Sequence, residues 1–149
     1  MSVHVSHFGI CISDPDRSQA FYIGALGFEP TASFEVGPEF GRLMELEGVE
    51  VESRFLKRDG VAIELLHHRN PGATGSAERR PVNQLGLTHL CIRVDDVDVV
   101  ATLVENHGGT VLDHTRTTFD QGDGPPMDFV YCTDPDGVRI ELMQTPFQV

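Results

Sequence analysis

Asp59-Gly60-Val61-Ala62-Ile63-Glu64-Leu65 returns later in the chain as Asp136-Gly137-Val138-Arg139-Ile140-Glu141-Leu142, changed only at the fourth position. Upstream of each copy lies a second matched pair. His7-Phe8-Gly9-Ile10-Cys11-Ile12-Ser13-Asp14-Pro15-Asp16 aligns with His89-Leu90-Cys91-Ile92-Arg93-Val94-Asp95-Asp96-Val97-Asp98 and shares His, Ile, Asp and Asp in register. Each half therefore carries one early histidine and one late glutamate. Internal repetition of this kind dictates architecture before any local propensity does.

Outward from the repeat, the first half reads as follows. Val3 to Ile12 alternates as a strand should, with Val5, His7, Gly9 and Cys11 on one face and Phe8, Ile10 and Ile12 on the other. Asp14-Pro15 starts a helix, Asp as N-cap and Pro at the first helical position. Ala20, Phe21, Gly24 and Leu26 form its apolar stripe, and Gly27 ends it. Extended segments are expected over Pro30–Val36, Arg42–Glu47, Ser53–Lys57 and Val61–His67, the last two joined by a turn at Arg58-Asp59-Gly60. Residues 69–86, rich in Gly, Pro and small polar side chains, read as a linker.

The second half repeats the plan. Leu87 to Val94 is a strand, and Asp95 or Asp96 caps a helix with Val97, Val100, Ala101 and Val104 buried. Gly108-Gly109 stops that helix. Thr110–Leu112 begins a strand, an Asp/Gly/Pro loop covers 117–127, and strands follow at Asp128–Cys132 and Val138–Met143. The expected fold class is α+β. Two βαβββ modules, about 1–68 and about 87–149, share a single domain spanning 1–149. Their sheets are expected to form one curved mixed sheet around a common cleft.

Bulk properties narrow the function. The net charge is −12 with eleven Lys and Arg, a poor match for a phosphate backbone, so no nucleic-acid partner is expected. No apolar run is long enough to span a bilayer, so no membrane partner is expected. Nothing at Met1-Ser2-Val3-His4-Val5 reads as a signal peptide, which makes the cytoplasm the expected location. Cys11, Cys91 and Cys132 lack disulfide or zinc-knuckle spacing and read as buried reduced thiols.

Strand parity carries the chemical argument. Val61, Ile63 and Leu65 face one way, and Glu64 faces the other. Val138, Ile140 and Leu142 likewise oppose Glu141, and His89 opposes Leu90, Ile92 and Val94. A carboxylate among apolar strand residues is costly to bury without a partner, and a divalent cation is such a partner. A strand-end Glu is ordinarily a solvated edge residue. The repetition of both His and Glu is what selects the metal reading. His7, Glu64, His89 and Glu141 are the expected ligands of one Zn, Ni, Co, Mn or Fe ion. His68 shares the face of Glu64. Arg93 and Arg139 share the faces of His89 and Glu141, so these three are the candidate substrate-binding residues.

The same motifs resemble the vicinal oxygen chelate superfamily, the group of glyoxalase I, methylmalonyl-CoA epimerase, extradiol dioxygenases and the fosfomycin and bleomycin resistance proteins. The resemblance rests on the two His motifs, Ala20-Phe21-Tyr22 to Leu26-Gly27-Phe28, and the two Glu motifs, and covers nearly the whole chain. The two-His, two-Glu set is most similar to bacterial glyoxalase I. That implies a lyase or isomerase in which Glu141 or Glu64 moves a proton next to a metal-bound carbonyl through an enediolate or enolate. It also implies a small-molecule substrate and a homodimer. Cys11 stands where glyoxalase I carries an Arg that grips glutathione, and His68 where it carries an Asn. A methylmalonyl-CoA-type epimerase is the first alternative, although its extra catalytic Glu finds no match on the expected Arg42–Glu47 strand. A ring-cleaving dioxygenase and a drug-sequestering binding protein are the others.

Overall fold

The computed structural model describes residues 1–120, 122 and 124–146. The fold is α+β. The chain divides into two compact units, residues 1–23 with 27–76, and residues 24–26 with 77–149.

In the first unit, β1 (Phe8–Ile12), β2 (Glu29–Val36), β3 (Glu50–Arg58) and β4 (Val61–Asn70) form one sheet in the order β1-β4-β3-β2. β1 runs parallel to β4, and the other pairs are antiparallel. Asp59 and Gly60 both have positive φ, 49° and 83°, the geometry of a two-residue hairpin turn whose twist matches that of the flanking strands. That turn sets the register, pairing Leu56 with Ile63, Phe55 with Glu64 and Arg54 with Leu65. Leu56, Ile63 and Leu65 are fully buried.

Helix α1 (Pro15–Gly24) begins as the sequence predicts, with Asp14 Oδ1 accepting from the backbone N–H of Asp16 and Arg17. Its end follows suit. Gly27 adopts φ +68°, and the Gly27 and Phe28 amides donate back to the Ile23 and Tyr22 carbonyls. Arg54 ties the helix to β3 by bonding the Pro15 carbonyl, Asp16 and Gln19. Of the expected stripe, Phe21 and Leu26 are buried, Gly24 is half-buried and Ala20 is exposed, while Ser18 and Tyr22 are buried as well.

Arg42–Glu47 is not a strand. Gly41–Met44 forms a short helix, α2, entered through a 3-10 turn at Pro38–Phe40 and closed by Glu45 in the left-handed region. Proline at the first position of the turn fixes a helical φ, and the Glu45 and Leu46 amides both return to the Gly41 carbonyl.

In the second unit, β5 (Leu90–Arg93), β9 (Arg139–Gln144), β8 (Met127–Thr133) and β6 (Thr110–Val111) lie in that order, and β7 (Thr117–Phe119) also pairs with β8. β7 lies within the stretch read from sequence as a loop. Its Thr-Thr-Phe composition suits a strand, and its pairing with Phe129, Asp128 and Met127 supplies the partner. Gln121 and Asp123 of that loop lie outside the described residues. Helix α3 (Val97–Asn106) starts at Asp96, whose side chain accepts from the Asp98 and Val99 amides. Val97, Val104, Val130, Cys132, Ile140 and Leu142 form its core. Cys132 is buried as expected, whereas Cys11 and Cys91, also expected to be buried, are exposed.

Arg116 braces this unit by bonding Asp98 at the start of α3 and both carboxylate oxygens of Asp128 on β8. The Arg116 guanidinium holds the buried Asp128 carboxyl below the usual carboxylate range, with burial partly opposing it. A depressed folded-state pKa stabilises at pH above the unfolded value, about 4, and that stabilisation is lost as pH falls through the folded value. Asp128→Asn should therefore lower the urea midpoint clearly at pH 7 and much less at pH 3. An equal deficit at both pH values would refute the assignment.

Candidate functional site

The repeat seen in the sequence is also a repeat of register. In β1 and β4, Gly9 pairs with Glu64. In β5 and β9, Cys91 pairs with Glu141. Each glutamate thus lies on the sheet face opposite its buried neighbours, Ile63 and Leu65 in one unit and Ile140 and Leu142 in the other. Each histidine sits just before its strand, on the glutamate's face.

The structure joins each histidine to the glutamate of its own unit. His7 Nε2 is 3.0 Å from Glu64 Oε2, and His89 Nε2 is 2.8 Å from Glu141 Oε2. Two of the four expected donors therefore meet in each unit. Among the described residues, no three His, Cys, Asp or Glu side chains gather into a group that could hold an ion. The donor types in each pair, one imidazole nitrogen and one carboxylate oxygen, suit a borderline divalent cation.

An aromatic ring backs each pair, a feature that the sequence reading missed. Phe55 is directly across from Glu64, and Tyr131 directly across from Glu141. His7 meets Phe55 edge to face at 5.0 Å, and His89 meets Tyr131 at 5.5 Å. Counting back from the Asp59-Gly60 turn would have placed Phe55 opposite Glu64.

The two pairs differ in what else holds them. The buried Ser53 hydroxyl donates to Glu64 Oε1 at 2.6 Å, so both oxygens of that carboxylate are engaged. Glu141 has no hydroxyl of this kind among the described residues. Its neighbours are Cys91 and Tyr131. Although Cys91 as a residue is exposed, partial enclosure of its thiol first, then the Glu141 charge, pushes that thiol up to about 11; burial and the same charge raise the Tyr131 phenol above its ordinary value. Both stay protonated at neutral pH.

The remaining candidates are scattered in character. His68 lies four residues after Glu64 on the same face, half-buried, with its Nδ1 enclosed and unbonded. His67, on the opposite face, has the same orphaned atom. Arg93 is exposed on the Glu141 face, across from Met143. Arg139 is buried on that face, two residues before Glu141.

Residues 4–142 match the family described as the Glyoxalase/Bleomycin resistance protein/Dioxygenase superfamily. An ethylmalonyl-CoA/methylmalonyl-CoA epimerase from Cereibacter sphaeroides is 27% identical, covering 94% of this chain and 96% of its own. A mitochondrial methylmalonyl-CoA epimerase from Bos taurus is 24% identical over 94% of this chain and 73% of its own. Among solved structures, a glyoxalase family protein from Bacillus cereus superposes with a TM-score of 0.81 at 20% identity, covering 97% of this chain and 95% of that one.

Proposed function

We propose, because the chain belongs to the glyoxalase/bleomycin resistance protein/dioxygenase superfamily, that it is a metal-dependent isomerase or lyase that moves a proton on the carbon beside a carbonyl of a small molecule. The observation that carries this reading is the duplicated His–Glu pair, held at 3.0 and 2.8 Å in equivalent registers. His7 with Glu64, and His89 with Glu141, are the side chains that would serve as cation ligands, and the cation would act as a Lewis acid on a substrate carbonyl and acidify the neighbouring C–H.

The chain's own groups divide the rest of the work. Glu64, tied by Ser53 and His7, is the fixed carboxylate. Glu141, engaged at Oε2 by His89, is the freer one and takes the proton. The Phe55 and Tyr131 rings fix the imidazole planes.

Two reactions use this chemistry. In a glyoxalase I-type reaction the proton moves to the adjacent carbon, and the two-His, two-Glu set favours it. In an epimerase a proton is delivered instead to the opposite face of the same carbon, and the names of the two relatives favour that. The deciding experiment combines elemental analysis of the purified protein with deuterium exchange from solvent into hemithioacetals and 2-methylacyl-CoA thioesters. About one divalent ion per chain and deuterium uptake into one substrate class are expected. Undiminished exchange after exhaustive chelation, or no exchange into either class, would refute the reading.

A further inference from the structure

Arg139 is an unusual cation for its place. Its residue is only 9% exposed, yet among the described residues no Asp or Glu comes within ion-pair distance of it. Its guanidinium carbon stands 4.9 Å from the centroid of the Tyr131 ring. One Nη2–H donates to the Arg80 carbonyl at 2.6 Å. A guanidinium carries five N–H donors. None of its nitrogens is both sealed from solvent and unbonded, so the remaining donors can be reached from outside.

The segment that supplies the Arg80 carbonyl is itself fixed. The Arg80 side chain donates to the Leu87 carbonyl at 2.7 Å. The Ala77 carbonyl lies so close to Gly137 that a Cβ there would meet it at 2.0 Å. The linker thus presses on the turn before β9 and holds the guanidinium over Tyr131. A buried cation with no counter-ion among the described residues is costly; the ring face and one carbonyl offset part of that cost. A planar carboxylate is the ligand that matches the unused fork. A net charge of −12 repels anionic molecules at long range, so an acidic substrate needs a local cation of this kind.

We propose that Arg139 is the specificity-determining residue of this site, and that the substrate carries a carboxylate gripped by its guanidinium beside the carbon at which Glu141 works. The assignment rests on the proton-transfer reading for the identity of that carbon. It does not rest on that reading for the binding of the anion. Arg139 and Glu141 alternate along one strand face, about 6.6 Å apart at Cα, which suits a short acid whose carboxylate is a few bonds from the reacting C–H.

The test separates binding from turnover. Methylmalonate and its monomethyl ester are titrated into wild-type protein, Arg139→Met and Arg139→Lys, with a chelator present throughout so that no ion contributes. Wild type is expected to bind the diacid at least tenfold more tightly than the ester. Arg139→Met should lose that preference, and Arg139→Lys should keep part of it, because it retains charge without the fork. Circular dichroism checks that each variant is folded. In parallel, exchange into a carboxylated acyl thioester should fall about 100-fold in kcat/KM in Arg139→Met, and exchange into its uncharged analogue by a much smaller factor. Equal binding of the diacid by wild type and Arg139→Met would overturn the proposal, as would no binding by wild type. If binding behaves as expected but no substrate exchanges, the anion site stands and the proton-transfer reading fails.

Discussion

Glu141→Gln is expected to lower kcat by about 10³-fold, within the range for loss of a positioned general base. Glutamine keeps the length and one oxygen of glutamate, so the contact to His89, now 2.8 Å, can persist as an ordinary hydrogen bond. It cannot accept a proton from carbon. Glu64→Gln should cost less in turnover, since Ser53 and His7 already occupy both oxygens of Glu64 and leave it a holding role. Deuterium exchange on the two variants side by side checks the division, and metal content measured on the same samples separates lost chemistry from lost ion. Wild-type exchange in Glu141→Gln would remove that residue from the mechanism.

The largest effect on stability is expected from Phe21→Ala. The Phe21 ring is fully buried in α1, edge to face with Tyr22 at 5.2 Å, and Tyr22 in turn meets Phe28. Removing the ring forfeits its transfer free energy and leaves a cavity between groups that cannot close on it, at a cost of about 3–5 kcal/mol. Whole domains are stable by only about 5–15 kcal/mol, so the variant should unfold at much lower urea concentration. A midpoint within error of wild type would mean that the Phe21 pocket collapses freely.

Much of this was legible in the sequence because the signals were local or duplicated. Asp14-Pro15, Gly27 and the Asp95-Asp96 pair mark helix ends through their own backbone and side-chain preferences, and the structure uses Asp14, Gly27 and Asp96. The face assigned to Glu64 and Glu141 followed from alternation with Ile63, Leu65, Ile140 and Leu142, all fully buried. Arg42–Glu47 reads as a strand because the apolar–polar alternation of Met44, Glu45, Leu46 and Glu47 imitates one. A four-residue helix is too short to show a 3.6-residue period. The leucines of this segment are not core: Leu43 in the helix and Leu46 just after it are both exposed. Phe55 and Tyr131 escaped notice because they act across strand pairs, and the position of a cross-strand partner depends on a turn being read correctly. Arg139 was placed on the right face. The bond from its side chain to the main chain at Arg80, 59 positions away, has no trace in composition or spacing.

Gly60 and Gly137 occupy the same place in the repeated heptapeptide, and both have positive φ, yet their surroundings differ. A side chain at Gly60 would enter open space, whereas one at Gly137 would collide with the Ala77 carbonyl. Drift after an ancestral doubling would therefore be uneven: asparagine, tolerant of that backbone geometry, has room in the earlier copy, while the later copy is held to hydrogen alone. Identical letters in the two halves record different restraints.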